Sequence, residues 1–275
     1  MVENKIKILK RVVWRHYQKH GRHDLLWRNL PAGRQERNNP YRILVSEVML
    51  QQTQVNRVLP IYAEFTKRFP TAKALARAPL SSVLRAWQGL GYNRRAKMLH
   101  EAAKKLASRK ISTAPELEML PGIGPYTARA IAAFAYNQDV IVIETNIRTA
   151  IIHHFFPKKK KVSDKEIEKI LMRVLPKGKA REWYSALMDY GAYLKRSGIL
   201  HNFRSKKYVK QSTFSGSLRE ARGAVLRELS RGVRTPARLT GLLGTARLAQ
   251  VRRALLNLLA EGLVQKRGRV FSLPR

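Results

Sequence analysis

The sequence predicts a mainly α protein: a large helical body over residues 1–204, then a small domain of three helices closed by a terminal β-hairpin. Three observations carry this. Apolar residues recur near the 3.6-residue period in almost every segment before residue 205. A polar, small-residue stretch over 205–217 interrupts that pattern as linkers do. A Gly-x-Gly turn, Gly122-Ile123-Gly124, lies between two helical runs.

In chain order, Ile6–Lys19 sets Ile8, Leu9, Val12, Val13 and Tyr17 on helical spacing. A turn-rich stretch, Asn29–Pro40, precedes a helix that starts near Tyr41 and runs toward Leu59. Helical patterns then cover Val58–Arg68, Leu80–Trp87, Asn93–Arg109, Ser163–Leu175 and Arg181–Leu194. Trp14 and Trp183 fit helix core positions. Val140–Ile143 looks extended, but it is short and has no partner of similar character, so it reads as a buried approach to a helix. The body is expected to form two lobes, roughly 35–150 and 1–34 with 151–204; no fixed-period repeat runs through it.

Beyond the linker, Leu218–Leu229 is helical, Thr235-Pro236 opens a short helix, and Ala246–Ala260 forms a longer one that Glu261-Gly262 stops. The tail reads as two strands around a basic glycine turn, Lys266-Arg267-Gly268-Arg269. That order resembles a winged helix-turn-helix. In such a module the third helix, bearing Arg247, Arg252 and Arg253, faces a DNA groove, and the wing places Lys266 and Arg267 on phosphate. A helical protein-interaction module is the alternative.

Composition narrows the partners. With 55 Lys and Arg against 18 Asp and Glu, the net charge is +37, which points to phosphate polymers through counterion release. At 44% hydrophobic residues the chain has enough apolar material for packed cores, so it is no basic disordered tail. The apolar runs Ile131–Tyr136 and Val140–Ile143 are far too short to span a membrane, and Met1–Lys10 lacks a signal-peptide core. A cytoplasmic, nucleoid-associated monomer is expected. Zero cysteines exclude disulfides, thiolate metal sites and cysteine-ligated iron–sulfur clusters.

Several residues suit chemistry on such a partner. Gly122 and Gly124 permit close backbone approach, and their N–H groups, with the helix that starts at Pro125, face an anion such as a DNA phosphate. Arg94, Arg95 and Lys97 are placed to touch phosphate as well. Acidic residues are scarce, which makes Glu47, amid apolar residues on a helix, and Glu144, at the end of Val140–Ile143, informative. A buried carboxyl can donate a proton near neutral pH while a second, ionised one stabilises positive charge on a sugar. The alternatives are an ion pair for Glu47 and a helix cap for Glu144. His153 and His154 diverge by about 100° on a helix and make a poor metal pair. Lys158–Lys161 is a solvated loop or a DNA-backbone contact.

Five motifs together go further. Pro40-Tyr41, Ser46-Glu47-Val48-Met49-Leu50-Gln51-Gln52-Thr53-Gln54-Val55, Trp87-Gln88-Gly89-Leu90-Gly91-Tyr92, Leu120-Pro121-Gly122-Ile123-Gly124-Pro125-Tyr126-Thr127-Ala128 and Asn146-Ile147-Arg148 follow one another in the order found in the MutY adenine glycosylases. Over residues 8–200 the chain resembles that family, part of the helix-hairpin-helix superfamily that includes endonuclease III; Gly21-Arg22 with Leu26-Trp27-Arg28 fits its N-terminal motif. The resemblance implies a helix-hairpin-helix DNA glycosylase fold, here with a winged-helix-like C-terminal domain. It implies an enzyme that flips adenine out of a mismatch in double-stranded DNA, opposite 8-oxoguanine or guanine, and hydrolyses its N-glycosidic bond. Glu47 matches the general acid. Asn146 matches an active-site amide, and Arg22, Trp27 and Arg28 line the base pocket. Gln51 and Gln52 fall in the segment that fills the gap in the base stack, and Tyr92 matches a position near the intercalation site. Tyr126 stands where endonuclease III carries its Schiff-base lysine; a phenol forms no imine, so strand cleavage by that route is not expected. Hairpin carbonyls in this superfamily often hold a monovalent cation.

The chain departs from the family in three places. Glu144 replaces an Asp; the extra methylene moves the carboxylate by about 1 Å, a displacement that can cost roughly 100-fold unless the backbone compensates. Electrostatic stabilisation tolerates geometry better than bond formation, so activity is expected to survive. The cysteine quartet that follows the last glycosylase helix is missing from the stretch at Tyr190–Gly198, which leaves contacts to packing and to Lys195, Arg196, Arg204, Lys206 and Lys207. The winged-helix-like tail stands in place of the nucleotide-hydrolase-like domain that reads 8-oxoguanine. Removal of thymine or uracil opposite guanine, and a non-catalytic DNA-binding role, are the competing readings.

Overall fold

Helix α1 (Val2–His20) opens the chain, and α2 (Pro40–Leu50), α3 (Val55–Arg68), α4 (Ala72–Arg77), α5 (Leu80–Ala86) and α6 (Arg94–Ser108) follow in a computed structural model that describes residues 2–28, 39–109 and 111–275. Next come α7 (Ala114–Glu118), α8 (Pro125–Tyr136), α9 (Thr145–Phe155), α10 (Asp164–Val174) and α11 (Ala180–Arg196). The last segment holds α12 (Leu218–Ser230), α13 (Pro236–Thr240) and α14 (Leu248–Ala260), then the antiparallel hairpin of β1 (Gln265–Arg267) and β2 (Val270–Ser272), with Lys266 opposite Phe271. Most of the turn-rich stretch and the expected lobe boundary near residue 35 lie outside the described residues. Among the described residues no helix is long and apolar enough to cross a membrane.

Local chemistry accounts for several helix starts. Ser163 and Glu166 form a reciprocal capping box on α10, Ser217 caps α12, and Thr235 caps α13 with Pro236 in its first turn, where a missing N–H is harmless. Val140–Ile143 leads into α9 without joining a strand. Two expectations needed correction. The helix expected from Tyr41 toward Leu59 is broken at 51–54, where Gln52 takes a left-handed φ of 55°. Helix α4 went unread because six residues with one buried anchor, Leu75, are too few to display a period.

Contacts group the chain into two units. The first comprises Met1–Ile43, Ser112–Glu118 and Ile123–Lys210. Its core joins Leu9 and Val13 of α1, Ile147 and Ile151 of α9, Ile167 and Leu171 of α10, and Trp183 and Leu187 of α11. Gly191 lets α11 lie directly on the start of α9: a Cβ there would stand 2.1 Å from the Asn146 carbonyl oxygen. Because α8 and α9 pack on α11, they belong with the N-terminal helix and not with the expected 35–150 lobe.

The second unit comprises Leu44–Ile111, Met119–Gly122 and Gln211–Arg275. Its core includes Val58, Tyr62, Phe65, Leu75, Val83, Trp87 and Leu99, together with Val225, Leu229, Val251 and Leu258 of the C-terminal helices. The C-terminal domain is therefore built into this unit, not tethered to it. Arg85 Nε donates to the Ser230 carbonyl at 3.1 Å, Ser81 N to the Pro274 carbonyl at 3.0 Å, and Lys97 Nζ to the Glu261 carbonyl at 2.6 Å.

Candidate active site

In the first unit, Glu144 stands at the N-cap of α9. Its Oε1 accepts the backbone N–H groups of Asn146 at 2.6 Å and Ile147 at 2.8 Å, so the capping alternative is realised in the geometry. The other oxygen accepts from Asn146 Nδ2 at 3.2 Å, and Asn146 Oδ1 accepts from Lys195 Nζ at 2.6 Å. Lys195, from the last turn of α11, thus joins the amide and carboxylate in one network. Burial pushes the Glu144 carboxyl above its ordinary value, while the two backbone N–H groups, Lys195 and Arg148 pull the other way. Burial lowers the Lys195 ammonium, opposed by Glu144.

Arg22 and Arg28, expected to line a base pocket, both bind Asp189. Arg22 donates from Nε to Oδ1 at 2.7 Å and from its backbone N–H to Oδ2 at 2.8 Å; Arg28 Nη1 reaches Oδ2 at 2.7 Å. The Asp189 side chain is 1% exposed. Burial raises its carboxyl, but Arg28 and Arg22 outweigh that and hold it below the ordinary aspartate value. Trp27 is buried nearby in sequence, and Tyr126, second in α8, is 37% exposed. Sequence reasoning missed Asp189, although a lone acid in the apolar run Ala186–Tyr190 of so basic a chain is a signal.

The stretch after α11, where the family pattern has cysteines, is organised by Arg204. Its buried guanidinium donates to the carbonyls of Phe156, Pro157 and Lys159, and Val162 forms a bridge with Ser205. No cysteine exists to hold an iron–sulfur cluster, and these partners do not fit one. His154 Nε2 pairs with Tyr190 Oη at 2.9 Å, and His153 Nδ1 with His201 Nε2 at 3.3 Å. Among the described residues no three His, Asp or Glu side chains gather as a metal site.

In the second unit, Glu47 lies on α2 within Leu44–Met49, a run buried at every position, and is itself 9% exposed. Arg95 departs from the expected phosphate contact. Its guanidinium donates to the carbonyls of Val48, Met49 and Gln51 at 2.8, 3.0 and 2.6 Å, to those of Leu90 and Gly91 at 3.2 Å each, and to Thr53 Oγ1 at 3.1 Å. A cation there faces the partial negative charge at the C-terminus of α2 and ties the 51–53 break to the Gly89–Tyr92 turn. Burial pushes Arg95 down to about 10. Gln51, Gln52, Tyr92, Arg94, Arg95 and Gly122 line one cavity of about 490 Å³.

Gly122 has φ 74°, and a Cβ would meet Met98 Cβ at 2.6 Å; the position requires glycine twice over. Gly124 is the N-cap of α8, without a side-chain cap. Arg247 departs from the expected groove-facing role, being turned onto Glu220 Oε2 at 2.8 Å and Gln250 Oε1 at 2.8 Å. Arg94, Arg252, Arg253, Lys266 and Arg267 are exposed.

Comparison with known proteins places this geometry. A family profile described as "HhH-GPD superfamily base excision DNA repair protein" matches residues 45–177. An adenine DNA glycosylase of Mycolicibacterium smegmatis (strain ATCC 700084 / mc(2)155) is 37% identical over 271 residues, 90% of this chain and 89% of that protein. One from Mycobacterium tuberculosis (strain ATCC 25618 / H37Rv) is 48% identical over 139 residues, which cover 49% of this chain and 43% of that protein. A thermostable thymine-DNA glycosylase shares the fold at TM-score 0.61 and 24% identity, covering 70% of this chain and 88% of that one. A non-covalent endonuclease III–DNA complex does so at TM-score 0.55 and 18% identity, covering 68% and 86%. The solved structures show the fold, and the family profile and the mycobacterial relatives define the class. The chain belongs to the HhH-GPD superfamily of base excision DNA repair proteins, in its MutY-type adenine glycosylase family.

Proposed function

We propose that the chain removes adenine from double-stranded DNA, where it is mispaired with 8-oxoguanine or guanine, by hydrolysing the N-glycosidic bond without cutting the strand. The observation that carries this reading is the placement of Glu47, a carboxyl shielded among apolar neighbours on α2, within a family of adenine glycosylases. Extruding the base gives access to its ring nitrogens. Glu47 donates a proton to the adenine ring, and the C1′–N9 bond breaks with its electron pair leaving on the base. Glu144 stands where the family carries the carboxylate that stabilises the positive charge developing on the sugar, and Asn146 and Lys195 fix its amide–carboxylate arrangement. Water then adds to C1′ and passes a proton to the Glu47 carboxylate, which restores the acid. The phenol at Tyr126 supplies no imine, which supports a monofunctional enzyme.

The superfamily resemblance puts a monovalent cation on hairpin carbonyls, and in this chain the backbone of Leu120–Ile123 would supply them. Such an ion would add positive charge to a turn suited to a DNA phosphate. The exposed Arg94, Arg252, Arg253, Lys266 and Arg267 suit contacts along the duplex backbone.

The decisive experiment is base release from a panel of duplexes carrying adenine opposite 8-oxoguanine, guanine or thymine, and thymine or uracil opposite guanine. Wild type releases adenine from the first two. Glu47→Gln lowers turnover by at least about 100-fold, the ordinary share of a general acid, and keeps duplex affinity. Release of thymine or uracil alone supports the competing enzyme reading, and equal behaviour of wild type and Glu47→Gln removes the catalytic one.

A further inference from the structure

Within the second unit, one aromatic side chain is gripped from two directions. Tyr92 has φ 47° and Gln52 φ 55°, and with Asn137 they make up the non-glycine residues in the left-handed region among the described ones. Residues held there are strained and persist where their surroundings fix them. For Tyr92 the surroundings come largely from the C-terminal part of the chain. Its hydroxyl accepts hydrogen bonds from Arg219 Nη1 at 2.8 Å and Gln211 Nε2 at 2.6 Å. The guanidinium groups of Arg219 and Arg95 each stand 5.3 Å from the ring centroid, within cation–π range.

Arg219 is itself fixed. Its Nη2 donates to the Ser212 carbonyl at 2.7 Å, the Ser212 hydroxyl at 3.2 Å and the Thr213 carbonyl at 3.3 Å, and among the described residues it pairs with no carboxylate. Two cavities of about 490 and 570 Å³ adjoin this grip, and both are lined by Gln52, Tyr92, Asn93 and Arg219. A guanidinium from α12 therefore lies in the same pockets as the two residues of left-handed backbone that the family resemblance sets against DNA.

We propose that Arg219, assisted by Gln211, is a positioning residue: it holds the Tyr92 ring in the conformation that meets DNA and makes the C-terminal domain part of the mismatch-reading site. This rests on the glycosylase reading above for the role of Tyr92, but its test does not depend on turnover. An aromatic side chain already immobilised in the free protein loses less freedom on binding, so the grip favours the distorted, mismatched duplex in particular. A plain phosphate contact by Arg219 would instead raise affinity for any duplex alike.

The test measures affinity of the full chain, by fluorescence anisotropy, for a labelled duplex with one adenine·8-oxoguanine pair and for its fully matched counterpart. Tyr92→Phe keeps the ring and removes the hydroxyl; Arg219→Ala removes the donor. Each is expected to reduce the mismatched-over-matched preference roughly three- to tenfold, and the double variant to lose little more than either alone, because both break the shared bond between the Tyr92 hydroxyl and the Arg219 guanidinium. Arg219→Gln, which retains an N–H donor without the charge, restores part of the preference, and serves also if Arg219→Ala folds poorly in a thermal melt. Equal weakening on both duplexes, additive losses, or no gain from Arg219→Gln overturns the proposal. Absence of adenine release with the coupled loss intact overturns the glycosylase reading alone.

Discussion

Two arginine clamps fix loops in the two units, and they do so with opposite chemistry. In the first unit one buried carboxylate, Asp189, gathers two guanidinium groups, Arg22 and Arg28. In the second, one guanidinium, Arg95, gathers the carbonyls of Val48, Met49, Gln51, Leu90 and Gly91. With 55 basic residues and 18 acidic ones, charge pairing cannot serve every buried arginine, and backbone carbonyls take over. Arg204 repeats the second solution in the first unit, on the carbonyls of residues 156–159. The difference concerns failure: removing the carboxylate leaves two cations facing each other, whereas removing Arg95 leaves neutral carbonyls that water can satisfy.

The largest effect should therefore come from Asp189→Asn, which keeps the shape and discards the charge. Breaking a buried pair by removing one partner costs about 3–5 kcal/mol, and thermal or urea unfolding would read it. A loss below about 1 kcal/mol would show that the clamp is dispensable. The pH dependence has a definite sign. Because Asp189 is held below the ordinary aspartate value, its contribution is complete above the unfolded-state pKa of about 3.9 and fades as pH falls through the lower folded value. Wild type should lose more stability than Asp189→Asn across that acid window.

Arg95→Lys sharpens the comparison from the other side, with a smaller loss of about 2 kcal/mol. Lysine keeps the charge but offers three donors on one atom, too few to span carbonyls on two separate loops. Its distinctive readout is local: amide hydrogen exchange at 51–54 and 89–92 should quicken while α3 stays protected. Unchanged exchange in both loops would mean that Arg95 does not tie them.

These clamps also mark where the sequence stopped being legible. The helices, their caps, the Gly122 turn and the terminal hairpin rest on neighbours close in the chain, and so do the motifs that carry the family resemblance. Asp189 meets Arg22 and Arg28 across more than 160 residues, and no local pattern announces it. The break after α2 was hidden because apolar residues continue through Val48, Met49, Val55 and Val58 on helical spacing; the cause lies in Arg95, a distant donor to backbone groups that carry no residue identity. Arg94, Arg95 and Arg247 looked alike as basic side chains. Only the three-dimensional supply of acceptors separates the exposed Arg94 from its two engaged counterparts.

The smallest effect concerns the network of Lys195, Asn146 and Glu144, where a cation, an amide and a carboxylate meet. Lys195 lowers the Glu144 carboxyl against a burial that raises it. Lys195→Met removes that pull, so Glu144 should take up its proton at a higher pH than in wild type. If Glu144 acts as an anion toward the sugar, the acid limb of the kcat/KM profile for adenine release moves to higher pH, and the alkaline side changes little. The rate deficit should accordingly be larger in acid than in alkaline buffer, which a uniform structural fault would not produce. Glu144→Gln supplies the control: having no carboxyl to titrate, it should lose the acid limb's sensitivity to Lys195. An acid limb that stays in place in Lys195→Met would assign the titration to another group and leave Glu144 with its capping bonds to Asn146 and Ile147 alone.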